Sequence, residues 1–139
     1  MIITAYVIAA LVGLGIIYIG VSYLFAPMTV APAFGFRALP TADGYYDVKG
    51  VRDIVAGLIV GAFMLYGDHR ALALVLVVEA VIPIGDMLVV LRRGGRKGTA
   101  FGVHGATAVV MLVAAALLWF ARLPQDPVRG AIGWGPIAF

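Results

Sequence analysis

An all-α fold, a four-helix transmembrane bundle, is what this sequence predicts, on three observations. Its apolar residues gather in four runs, each near or above the ~18–20 residues a helix needs to cross a bilayer. Charged residues make up 12% of the chain against 63% hydrophobic, about half the charged share of a soluble domain. The cations sit mostly at the ends of the runs, where they set topology. The spans are placed at about 2–25, 48–67, 71–91 and 99–121 in one domain, 1–122. An apolar tail, 123–139, is too short to span and is expected to lie at the interface through Trp134 and Phe139.

Span one contains no ionisable acid or base, and Gly13, Gly15 and Gly20 give it smooth patches where another helix can come close. It lacks a basic leader and is too long for a secretory core, so it reads as a retained span. Tyr18 and Ser22, four apart, share a face near its end. The connection 26–47 holds Pro27, Pro32 and Pro40, which argue against one continuous helix. Connections of this length are often lids or interfacial segments. The plainer expectation puts Phe34, Phe36, Tyr45 and Tyr46 at headgroup level.

Span two opens with Lys49, Arg52 and Asp53, which i, i+3 and i+4 spacing brings to one side. Continuing by fours gives Gly57 and Gly61, a close-packing pair, so this face is expected to point inward, with Lys49 able to snorkel out. The turn at 67–70 makes a tight hairpin, with Asp68 as N-cap and His69 in solvent. Span three carries Glu79 and, close to two turns later, Asp86 on the same side. Pro83 lies between them and deprives the Glu79 carbonyl of its helical donor. Lipid does not tolerate such a face. After Arg92, Arg93, Arg96 and Lys97, span four brings His104 just inside its start, with Thr107 and Met111 on related faces.

The four cations between spans three and four place that loop in the cytoplasm, with Arg37 on the same side. Arg70, Arg122 and Arg129 then lie outside, as do both termini, giving a multi-pass protein of the cell inner membrane. At 1.5 Å per residue, Arg52, Asp53, Asp86 and His104 all enter roughly 5–8 Å from the cytoplasmic side, while Glu79 lies near the midplane. Three helices thus deliver ionisable groups to one level.

Cysteine is absent, which excludes disulfides, thiol catalysis and thiolate metal sites. The net charge of +3 does not indicate nucleic-acid binding. Glu79, Asp86, Asp53, His104 and Arg52 combine carboxyls, an imidazole and a fixed cation, the equipment of acid–base chemistry. The plain alternative for Arg52 is an ion pair that bridges Asp53 and Asp86 and pins helices together. Tyr18, Ser22, Lys49 and Tyr46 stand where a bound molecule would meet them. The expected partners are the bilayer, a small lipophilic ligand with one oxygen function, and further copies of the chain.

The run KGVRD at 49–53, PIGD-x-LVV at 83–90 and a histidine early in span four resemble a family of small bacterial four-span membrane proteins. That family is known only as a domain of unknown function. The resemblance covers about residues 1–122 and implies the fold and membrane location, with no activity. From the residues, the reading leans to a cofactor-independent acid–base enzyme of isomerase, epoxide-opening or cyclase type. A proton-coupled transporter using Glu79 and a non-catalytic structural protein are the alternatives. A haem on His104, or zinc held by His104, Asp86 and Glu79, is a weaker signature.

Overall fold

The structure, a computed structural model, describes residues 1–41 and 44–121. Four long helices run up and down: α1 (Ile2–Phe25), α2 (Tyr45–Tyr66), α3 (His69–Arg92) and α4 (Lys97–Trp119). There is no strand among the described residues. Helices α1, α3 and α4 are long and apolar enough to cross a membrane. Helix α2 has the length but carries Lys49, Arg52 and Asp53 in its first turns. The tail that was assigned to the interface, with Arg122, Arg129, Trp134 and Phe139, lies outside the described residues.

Helices α1 and α2 pack along their length through glycines seven apart on each. A Cβ on Gly57 would come 2.5 Å from the carbonyl oxygen of Gly13, and one on Gly50 would come 2.8 Å from that of Gly20. Backbones approach this closely only where both helices lack side chains. The expected Gly57 and Gly61 pair is therefore corrected to Gly50 and Gly57. Neither Gly61 nor Gly15 has a neighbour within 4 Å of the added atom.

Asp68 caps α3 as its position predicts, accepting from the amides of Arg70 (2.8 Å) and Ala71 (3.0 Å). Gly67 ends α2 at φ +82°, a conformation that favours glycine. Helix α3 is interrupted at Ala80, between its segments His69–Glu79 and Val81–Arg92. Pro83 explains the position, since its missing N–H falls one turn after Glu79. Helix α4 is widened to a π-helical stretch over Ala100–Gly105, which contains His104. Such bulges recur at functional sites.

The apolar core occupies one half of the bundle. Leu72 and Leu76 of α3, Met111 and Leu118 of α4, Val60 of α2 and Ala9 of α1 are fully buried there. The other half, toward the loop that joins α3 to α4, holds a cavity into which the ionisable residues of three helices converge.

The connection after α1 has helical structure of its own. It folds into two short helical turns, Pro27–Val30 and Ala31–Phe34, which lie over the cavity. Gly35 follows at φ +105° and its carbonyl accepts from the Arg96 amide at 2.9 Å. The Arg96 guanidinium also donates to the carbonyl of Pro32. Phe34 and Phe36 stack on each other with centroids 4.8 Å apart, and Phe34 faces inward.

Candidate functional site

The cavity has a volume of about 330 Å³, within the range of small-molecule sites. Its walls are mainly apolar, with Ile16 and Ile19 from α1, Ile82 and Pro83 from α3 and Val103 from α4. The polar groups in the lining are Lys49, Asp53, Glu79, Asp86 and His104, with Tyr23, Thr29 and Thr107. Four of the five residues expected to carry chemistry, and one of the four expected to bind, thus meet in one place.

The expectation that Lys49 snorkels outward is corrected. It is 8% exposed, points inward, and forms an ion pair with Asp53 one turn on. Its ammonium also lies 4.6 Å from the centre of the Tyr23 ring and 5.1 Å from that of Phe34. A desolvated ammonium gains from aromatic faces, which compete with the pull of water. Asp53 takes a second cation, with Arg52 Nη2 at 3.1 Å and Nε at 3.2 Å. Arg52 then reaches Asp86 at 3.7 Å and so bridges α2 to α3. Its side chain is 45% exposed and does not line the cavity. Arg52 therefore closes the ion network from outside the cavity lining.

Glu79 differs from all of these. It is 8% exposed, and both of its carboxyl oxygens are buried with no hydrogen-bond partner. A carboxyl so placed is costly unless something entering the cavity completes it. His104 is also buried, and its Nε2 lies 3.0 Å from the carbonyl oxygen of Phe34. A carbonyl only accepts, so Nε2 carries the proton and a neutral ring leaves Nδ1 as an acceptor. The Phe34 ring, 4.6 Å from the imidazole, completes its seat.

Tyr18 and Ser22 are not part of the lining. Tyr18 is 73% exposed, and the Ser22 hydroxyl donates to the Tyr18 carbonyl at 2.8 Å. Gly13 and Gly20 fix the α1 face that meets α2, and Tyr18 and Ser22 lie roughly 140–180° round from it. Tyr46 is also outside the lining. Its hydroxyl donates to the Pro40 carbonyl at 3.0 Å, and its ring stacks on Tyr23 at 6.0 Å. Tyr46 therefore backs Tyr23, and Tyr23 is one cavity residue that the sequence does not single out. The same glycine register would have found it, since Ile16, Ile19 and Tyr23 follow one stripe beside the glycine face. Phe34 was missed as a site residue because nothing local to its sequence links it to His104, seventy positions away.

The family model for a domain of unknown function (DUF4267) matches residues 13–118. The chain belongs to this family. The match takes in Tyr23, Phe34 and every ionisable residue of the cavity. No curated protein and no solved structure matches the chain.

Proposed function

We propose that this DUF4267 protein is a small membrane-embedded acid–base enzyme, independent of cofactors, acting on a lipophilic molecule with one oxygen function. The observation that carries this reading is Glu79, a buried carboxyl whose oxygens have no partner in a cavity that His104 and Asp86 also line. One group can give a proton to a substrate oxygen while another removes one from carbon, provided both reach the same small molecule. The apolar walls suit a lipophilic body, and the ion network of Lys49, Asp53, Arg52 and Asp86 supports a fixed frame around it.

The positive-inside rule supports a cavity open toward the cytoplasm, in an inner membrane with both termini outside. A substrate would reach it from the bilayer or the cytoplasmic surface, and copies of the chain are proposed to associate. A proton-coupled transporter would use the same carboxyl. Against it stands the other half of the bundle, where Leu72, Leu76, Met111 and Leu118 close the path.

The test incubates a membrane lipid extract with purified protein in detergent and reads it by mass spectrometry. The expected result is a lipophilic species converted to an isomer or a water adduct by the native chain and not by Glu79→Gln. Accumulation of a solute in sealed vesicles that collapses with the proton gradient, without conversion, overturns the reading in favour of transport.

A further inference from the structure

The two short helical turns over the cavity are gripped from one place. Arg96, exposed in the loop between α3 and α4, donates its amide to the Gly35 carbonyl at 2.9 Å and its guanidinium to the Pro32 carbonyl. Those two carbonyls flank Phe34 in the chain. The fit is tight, since a Cβ on Gly35 would come 2.9 Å from Thr99, and Gly35 takes φ +105°, where glycine is favoured. The Phe34 carbonyl so placed lies 3.0 Å from Nε2 of His104, seventy positions on.

That carbonyl is the only hydrogen-bond partner of the imidazole among the described residues. It can only accept, so while the contact lasts it selects the tautomer with the proton on Nε2. A neutral ring then keeps a lone pair on Nδ1, and His104 lines the cavity. The π-helical stretch Ala100–Gly105 holds His104 where α4 leaves its regular register.

We propose that Arg96 is a positioning residue for His104, acting through the turns over the cavity. By holding them it keeps the Phe34 carbonyl on Nε2, and so keeps Nδ1 an acceptor of hydrogen bonds and protons. In the opposite tautomer Nδ1 would offer a proton and accept none. Arg96 is not in the cavity lining and works through two peptide units, so its contribution is geometric. The consequence for turnover rests on the acid–base reading above, whereas the tautomer is measured without any substrate.

Two histidines in the chain keep the measurement simple. The full chain, carrying isotope-labelled histidine, is observed by nitrogen NMR in detergent at alkaline pH, where imidazole is neutral. His69→Gln assigns the signals, and free histidine in the same buffer is the reference for a ring that exchanges between tautomers. In the native chain the His104 Nε2 should carry the proton and Nδ1 none, each further from their average than in free histidine. Arg96→Ala removes the guanidinium, keeps the backbone amide, and should draw both signals toward the free-histidine positions. Arg96→Lys should restore most of the native pattern, because an ammonium can still donate to the Pro32 carbonyl. Arg93→Ala removes the same charge from the same end of the bundle and should leave the signals in place. In the conversion assay Arg96→Ala should lower turnover by about 2–10-fold, the population change that one ordinary hydrogen bond controls.

A native ring with its proton on Nδ1, or one exchanging as free histidine does, overturns the proposal. So does a fixed Nε2 proton that Arg96→Ala leaves untouched, or one that Arg93→Ala disturbs as much. Should Arg96→Ala fail to fold, Arg96→Gln is read by the same signals. A fixed tautomer that answers to Arg96, in a chain that converts no lipid, removes the acid–base reading alone. Conversion by a chain whose ring exchanges freely removes the positioning alone.

Discussion

Replacing Asp53 with asparagine isolates what the ion network contributes. Asp53 is 6% exposed and is the only carboxylate within ion-pair distance of Lys49 among the described residues. The amide keeps the shape and removes the charge, leaving a buried ammonium with only the Tyr23 and Phe34 rings for company. Breaking one side of a buried pair costs about 3–5 kcal/mol. Two features pull the value down. The rings retain part of the interaction, about 0.5–2 kcal/mol for a cation over an aromatic face. Arg52, at 45% exposure, keeps Asp86 and water, so its lost bond adds only about 0–1 kcal/mol. The expected net loss is about 2–4 kcal/mol, read by thermal or denaturant unfolding in detergent. The double variant Lys49→Met with Asp53→Asn should recover most of it, because removing both charges removes the uncompensated one. A loss below about 1 kcal/mol for the single variant, or no recovery in the double, would refute the view that Lys49 is held dry.

Gly57→Ala should destabilise by about 1–3 kcal/mol by driving α1 and α2 apart. Gly61→Ala, with open space around its Cβ, should be neutral or gain up to ~1 kcal/mol in helix propensity, and denaturant titration compares the two. The amides of Ala71 and then Arg70 hold the Asp68 carboxyl below its usual range. Its capping contribution is therefore full above the unfolded value of about 3.9 and is lost as pH falls through the lower folded value. Asp68→Ala should cost about 0.5–2 kcal/mol at neutral pH and flatten that acid limb of a stability titration. Cysteines at Arg93 and Tyr66, both exposed, should label from opposite faces of the membrane, and labelling from one face would end the topology argument. Gly95 is a poor site for that label, because its Cβ would fall 2.5 Å from the Gly35 carbonyl oxygen. In the conversion assay, Glu79→Gln should keep the fold and lower turnover by about 10²–10⁴-fold.

Element by element, the fold was legible because bilayer length and proline and glycine punctuation act locally. The four long helices fall within a few residues of the ends expected of them, and Asp68 caps where its neighbours require it. The ionisable half of the site was legible for a related reason. Lipid forbids charge, so Asp53, Glu79, Asp86 and His104 had to converge on the interior. What the sequence reading misjudged was rotation and long-range seating. Tyr18 and Ser22 share a face at the right end of span one, yet the Gly13 and Gly20 stripe turns that face away from the cavity. Lys49 was allowed to snorkel because span ends usually permit it, and only the fold places Tyr23 and Phe34 around it.

One cause links the cavity to the break in α3. The hairpin turn at Gly67 and Asp68 holds α2 and α3 together, and the first segment of α3, His69–Glu79, packs on both α2 and α4. Past Ala80 the second segment, Val81–Arg92, packs chiefly on the π-helical stretch of α4. Meanwhile the glycine contacts keep α2 against α1. The two neighbours of the hairpin thus pull in different directions, and the space between them is the cavity, spanned at its edge by Arg52 reaching to Asp86. Pro83 marks where the partners change. It weakens the helix where α3 must leave α2, and it lies one turn beyond Glu79. Pro83→Ala restores that N–H and should stabilise an uninterrupted α3. If the opening depends on the break, it should also lower turnover in the conversion assay while leaving the capping of Asp68 and the packing of Gly57 untouched. Unchanged turnover in a variant with a continuous α3 would mean that the glycine stripe alone holds the cavity open.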